Sequence, residues 1–178
     1  MTGTTLGRLR LRPAAERPDL LAEPVSAVIA SVPEALVTEI DPDLADTAAL
    51  CDAYDVGMDM SANCVVVAGT RAGVTRYAAC VVLATTRADV NGLVRKRLDV
   101  RKASFAPMDD AVARSGMEYG GITPVGLPAD WLLLVDEAVV GTQQVVVGSG
   151  VRRSKLVLPG AVLARLPRAE VLPQLGRA

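Results

Sequence analysis

Histidine is absent from the 178 residues. That removes Ser-His-Asp and Cys-His catalysis, histidine general bases and every histidine-containing metal site. Chemistry must come from carboxylates, lysine, cysteine, hydroxyls, backbone amides or the substrate itself. Aromatic residues are scarce: Tyr54, Tyr77, Phe105, Tyr119 and Trp131 are the whole set, which argues against a sheet that stacks bases on several rings. The three cysteines, Cys51, Cys64 and Cys80, form no CxxC pair. Cys64 and Cys80 sit in apolar runs, where a free thiol behaves as a small hydrophobe. A secreted disulfide scaffold does not fit this usage, and a reducing cytoplasm does. No run approaches the ~20 apolar residues of a membrane span. Arg8, Arg10 and Arg12 are followed by no apolar segment, so the start of the chain does not read as a secretory signal. There is also little excess charge, 19 basic against 20 acidic residues, which argues against a protein that coats nucleic acid indiscriminately while leaving room for a local basic face.

What is there is an ordinary globular mix, 51% apolar and 22% charged, of a length that suits one domain. Residues 4–12 alternate apolar and basic, the pattern of a strand with one solvated face. Pro18 opens a helical stretch to about residue 30, with a break or kink at Pro24, and 35–40 reads as a strand. Asp41-Pro42-Asp43 caps a helix over about 43–54, and Gly57 ends that unit. Residues 63–68 and 74–84, joined by Arg71-Ala72-Gly73, predict a hairpin. Helices are expected over 89–98, 108–115 and 161–166, and strands over 132–136, 143–148 and 155–158. Hairpin-like neighbours outnumber strand-helix-strand crossovers, so a mixed, mostly antiparallel sheet is expected.

Three segments carry candidate chemistry. In Glu118-Tyr119-Gly120-Gly121-Ile122-Thr123-Pro124-Val125-Gly126-Leu127-Pro128, adjacent glycines let a backbone approach a ligand and turn N–H groups outward. Such a loop can stabilise an oxyanion or hold a ribose or phosphate, or it can be a tight connection. In Gly148-Ser149-Gly150-Val151-Arg152-Arg153-Ser154-Lys155 a strand enters a glycine turn and emerges with three cations, facing an anionic ligand or water. The phosphate-loop pattern, with Gly-Lys-Ser/Thr leading into a helix, is missing. The stretch 87–102, with Arg95, Lys96 and Arg97 at its centre, is net basic; it suits a phosphate backbone or a solvated helix face equally.

Together these segments resemble the YbaK/EbsC family, the editing domain associated with prolyl-tRNA synthetase. The similarity runs from about Pro42 to Leu172. Gly120 and Pro124 match the family's Gly-x-x-x-Pro loop, with support from Gly57-Met58-Asp59, the segment from Leu98 to Pro107 and the Gly148-Ser149-Gly150 turn. The resemblance implies one α/β domain over residues 1–178, a mixed, mostly antiparallel, partly open barrel with flanking helices. Residues 1–40 would be a strand–helix extension and about 42–172 the core. It implies hydrolysis of the ester of mischarged aminoacyl-tRNA, without metal or cofactor. The implied partners are an aminoacyl-tRNA and, as a candidate, an aminoacyl-tRNA synthetase, with neither DNA nor a membrane among them.

The expected pocket involves Gly120, Gly121 and Lys155 in catalysis, and Asn63, Thr123, Gly148, Ser149 and Gly150 in substrate binding. Arg95, Lys96 and Arg97 would dock the tRNA. Two positions depart from the family pattern. The usual lysine at the start of the strand after Gly57 is Asn63, followed by Cys64 where a small hydroxyl residue is common. The aspartate often found after the late glycine turn is Lys155. Either Lys155 supplies the pocket's cation in place of the lost one, or catalysis is lost and the chain only binds. A thiol-dependent hydrolase using Cys64 is a third reading, and it lacks a histidine to activate the sulfur.

Overall fold

The computed structural model describes residues 4–178. The alternating N-terminal segment is not one strand. It folds back at Gly7 into β1 (Thr4–Leu6) and β2 (Leu9–Pro13). Gly7 has φ +54°, and a Cβ there would lie 2.3 Å from the Asp55 carbonyl oxygen, so the bend needs glycine. The expected helix from Pro18 is also broken up. A 3₁₀ turn (Pro18–Leu20) is followed by α1 (Glu23–Val28) and a second turn (Ile29–Ser31). Pro18 and Pro24 each lie in a first helical turn, where a missing N–H costs nothing, so Pro24 starts a helix instead of kinking one.

Strand β3 (Leu36–Glu39) follows, then a 3₁₀ turn (Pro42–Leu44) capped by the Asp41 carboxylate on the Asp43 amide, then α2 (Thr47–Tyr54). The Asp41 cap therefore serves a separate turn, and α2 begins only after the extended residue Asp46. Asp55, in the left-handed conformation, closes α2 ahead of Gly57. The hairpin is present at full length: β4 (Ala62–Arg71) and β5 (Val74–Leu83) pair along ten residues each. Ala72 and Gly73 both have positive φ, as a type I′ turn demands.

Short β6 (Arg87–Ala88) leads to a π-helical turn (Val90–Val94), α3 (Arg95–Leu98) and β7 (Ser104–Phe105). Then come α4 (Met108–Ser115), the glycine loop, β8 (Leu132–Asp136) and α5 (Glu137–Val140). The chain ends through β9 (Val145–Gly148), β10 (Ser154–Leu158), α6 (Gly160–Leu163), β11 (Ala169–Leu172) and β12 (Gly176–Arg177).

One five-stranded sheet has the order β1-β2-β3-β10-β9 and the other β11-β8-β5-β4-β7. Among the described strands the parallel pairs are those of β8 with β5 and β11. The sheets meet where β9 passes the start of β4, with a bridge between Ser61 and Val146, and close into a mixed, partly open half-barrel. Its interior holds the largest core cluster, including Val66, Val81, Leu133, Val147 and Leu156. A second cluster lies under the π-turn and α3, and a third under α2. Helix α4 is pinned to the hairpin by Tyr77, which donates to Asp110 at 2.5 Å, stacks on Trp131 at 5.3 Å and lies under the Arg114 guanidinium. This fixes the face of α4 that borders the cavity described next.

Candidate active site

A cavity of about 550 Å3 opens between the start of β4, the N-terminal turn of α2, α4, the glycine loop and the β9–β10 pair. Its mouth is ringed by side chains that a folded chain would normally hide: Phe105 is 63% exposed, Tyr119 57% and Met108 49%. Its interior is mainly Ala, Val and Leu, with a small set of polar groups.

The most unusual of these is Lys155. It sits on β10 between Gly148 of β9 and Thr38 of β3, and is 8% exposed. Strand alternation sends Leu156 into the interior core cluster and Ser154 to the Leu20 carbonyl, so Lys155 takes the cavity face. Its ammonium makes no hydrogen bond or ion pair among the described residues and is not sealed in the core, so it opens onto the cavity. Burial pushes its pKa below the ordinary lysine value, and the nearby Arg152 charge adds to this; Asp46 and then Cys51 act in the opposite sense. A lysine nine-tenths buried and unpaired is costly to keep, which is why charged side chains are seldom found so.

The glycine loop supplies amides, though not the expected pair. The Gly121 N–H donates to the Glu118 carbonyl, and the Gly121 carbonyl accepts from Gly150. A Cβ on Gly121 would press to 2.9 Å from the Val151 backbone. Gly121 is thus a packing glycine whose donor is already spent. The free amides belong to its neighbours: the N–H groups of Gly120 and Ile122 have no acceptor among the described residues, and both residues line the cavity. Gly120 has φ +76° with Arg152 Nη1 close beside it. Gly148 lines the cavity and leans on the same loop, its missing Cβ lying 2.4 Å from the Gly121 carbonyl oxygen.

Thr123, Ser149 and Gly150 do not line the cavity. Thr123 is fully buried, its N–H on the Met117 sulfur and its Oγ1 accepting from Val125. The Ser149 hydroxyl lies within hydrogen-bond distance of the Val151 and Ser154 carbonyls and the Ser154 hydroxyl, so it ties the turn together. Gly150, at φ +91°, packs against Ala22. These residues shape the loop and turn from behind.

Asn63 lines the cavity, and its Oδ1 accepts from Thr47 Oγ1 at 2.7 Å, leaving its amide nitrogen as a donor. Cys64 lines it too, but burial pushes the thiol up to about 12, so at neutral pH it stays protonated and a poor nucleophile. Arg95, Lys96 and Arg97 are not at the cavity. Arg97 pairs with Glu170, and Arg95 donates to the Asn91 carbonyl. Val94 and Leu98 of that segment pack on Val67, against the sheet face opposite Cys64 and Val66.

Reasoning from sequence missed three contributors. Arg152 bridges the cavity's two flanking loops, donating to the Pro42 carbonyl at 3.1 Å and the Tyr119 carbonyl at 3.4 Å. Asp46 and Thr47 reach the cavity from the start of α2. Arg152 stood in a basic turn that could have been singled out; nothing in sequence marked Asp46 or Thr47 beyond their place at a helix start. Among the described residues no cluster of three or more carboxylates and thiols is arranged to hold a metal, and no helix is long and apolar enough to cross a membrane.

The fold and cavity define a half-barrel domain whose cavity is lined by two residues with unpaired backbone amides and by a lysine in no ion pair among the described residues. The chain belongs to the aminoacyl-tRNA editing domain family, whose sequence pattern matches residues 41–166. No curated protein sequence matches it. Among solved structures it is similar to a hypothetical protein, APE2540, at 18% identity and TM-score 0.75, over 87% of this chain and 100% of that one. It is also similar to a protein put forward as a trans-editing enzyme for prolyl tRNA synthetase, at 18% identity and TM-score 0.74, over 88% and 97%. These likenesses establish the shared fold.

Proposed function

We propose that this protein is an aminoacyl-tRNA deacylase that acts in trans, releasing amino acid from mischarged tRNA in the cytoplasm. The observation that carries the reading is the pairing, in one cavity, of the unpartnered amides of Gly120 and Ile122 with the buried, unpaired Lys155. An aminoacyl ester needs little activation. Water adds to the carbonyl carbon, the carbonyl oxygen gains negative charge, and the bond to the ribose oxygen then breaks as that oxygen takes up a proton. The Gly120 and Ile122 amides are suited to the carbonyl oxygen, and one such donor is worth about 3–4 kcal/mol. Asn63 offers its amide nitrogen to the ribose or carbonyl, and the exposed rings of Phe105 and Tyr119 offer faces to the terminal base. Lys155 supplies the cation that holds a negative part of the substrate. Orientation and a neighbouring ribose hydroxyl, with no histidine, can then supply the rest of the rate.

The test is release of amino acid from a panel of charged tRNAs under single-turnover conditions. Cleavage of at least one at a rate well above spontaneous hydrolysis supports the reading. A protein that binds charged tRNA at the cavity and cleaves none would be a binding module, the outcome favoured by Asn63 standing where the family lysine is usual.

A further inference from the structure

Two cations serve this cavity at different depths. Arg152 belongs to its edge, on the turn before β10, its guanidinium strapped to the Pro42 and Tyr119 carbonyls and in no ion pair among the described residues, while its backbone N–H donates to the Glu118 carboxylate. Lys155 lies inside, on a strand flanked by β3 and β9, and is 8% exposed, against 49–63% for the mouth residues. An RNA must leave through the mouth, so its phosphates stay there, within reach of Arg152. The part of the substrate that travels deepest is the part farthest from the RNA body, the aminoacyl side chain.

Asp46 completes the pattern. It is exposed, lines the cavity and lies close enough to Lys155 for its charge to be felt there, yet the two form no ion pair. An aminoacyl ester carries an α-ammonium beside the reacting carbonyl, and a carboxylate near the mouth is its natural counter-charge. The cavity therefore presents open amides, an exposed carboxylate and the ammonium of a largely buried lysine. Taken with the deacylase reading, on which this rests, we infer that the site selects aminoacyl groups with an acidic side chain, the carboxylate of an aspartyl or glutamyl ester meeting Lys155 and its α-ammonium meeting Asp46. A neutral side chain leaves Lys155 without a counter-charge. A basic one meets both Lys155 and Arg152 as like charges. The carboxylate returns to the buried ammonium the partner it lacks in the free protein.

The test compares single-turnover cleavage of aspartyl-, glutamyl-, alanyl-, prolyl- and lysyl-tRNA by the parent and by Lys155→Met. The expected result is at least tenfold faster cleavage of an acidic aminoacyl-tRNA than of the alanyl and prolyl forms. That ratio should fall to within threefold in Lys155→Met, with lysyl-tRNA the slowest in the parent. Faster cleavage of alanyl- or prolyl-tRNA than of both acidic substrates overturns the inference and leaves the deacylase reading standing. If the parent cleaves nothing, the deacylase reading fails, and the subsite is judged by binding of 3′-deoxy-3′-aspartylamino-adenosine and its alanyl counterpart, in which an amide replaces the ester. Tenfold tighter binding of the aspartyl compound, lost in Lys155→Met, upholds the acidic subsite; equal binding overturns it.

Discussion

Replacing Lys155 with methionine should make the protein more stable and less active at once. Methionine keeps the unbranched stem and removes the ammonium. In the free protein Lys155 is 8% exposed and in no ion pair among the described residues, its ammonium open only to the cavity that it shares with Leu50 and Val146. A polar group left without a partner on burial costs about 1–3 kcal/mol, and an ammonium that still touches cavity water bears the lower part of that. The variant should therefore gain at least about 1 kcal/mol, and for a domain of this size each kcal/mol raises Tm by roughly 2–4 °C. The sign has a pH signature. Burial, and after it Arg152, lowers the folded-state pKa of Lys155 below its unfolded value, so the folded state binds fewer protons in the window between the two. Parental stability should rise with pH across that window, and the advantage of Lys155→Met should be largest below it and vanish above about pH 10.5, where the unfolded lysine also loses its proton. Cleavage of an acidic aminoacyl-tRNA should drop tenfold or more, at least about 1.4 kcal/mol of barrier, with neutral substrates affected least. Thermal melts from pH 6 to 10.5 beside single-turnover assays read both effects. A variant that melts lower than the parent at neutral pH would refute the reasoning, because Lys155 would then be a structural group.

The glycine loop separates packing from chemistry. Gly121→Val should lower Tm by several degrees because its side chain would press on the Val151 backbone, and circular dichroism melts will register the loss. Cys64→Ser should keep at least half of the parental cleavage rate, and the parent thiol should resist iodoacetamide at pH 7.5, since burial holds it protonated up to about 12. Replacing Arg95, Lys96 and Arg97 together with Gln should weaken tRNA binding less than Arg152→Gln does, because Arg97 is already paired with Glu170 and this helix lies across the sheet from Cys64. Filter binding at several salt concentrations measures this, with about 0.9 of log-log slope lost for each phosphate contact removed.

The parts of the fold legible in sequence are those where a local signal is strong. The β4–β5 hairpin announces itself by β-branched runs around Ala72-Gly73, and α4 by Pro107 in front of it. The N-terminal forty residues were harder. Arg8 to Arg12 and the two prolines are compatible with longer elements, and it is the contact of Gly7 with the Asp55 carbonyl and the pairing of β2 with β3 that cut them short. The site was legible to the level of segments and not of donors. Sequence marks Gly120-Gly121 as a loop able to expose amides, but which amide is free depends on the Glu118 carbonyl closing a turn on Gly121. Ser149 looks like a ligand residue beside two glycines; only the approach of Ser154 shows its hydroxyl to be spent. Asp46 and Thr47 come to the cavity through the packing of α2, which no local pattern encodes.

The strand that carries Lys155 draws its support from outside the stretch that matches the family. β3 pairs with it over Ser154 to Val157, the Ser154 hydroxyl and the Arg153 guanidinium hold the carbonyls of Leu20 and Asp19, and the Ala22 amide holds the carbonyl of Ser149. On the other sheet, β8 takes β11 as its edge neighbour from residues 169–172. A fragment trimmed to 41–166 would leave both sheets with raw edges and strip the backing from the cavity wall. The contacts that back the cavity wall reach beyond the stretch that the family pattern matches, so grafts or truncations of this domain should keep residues 19–39 and 169–172.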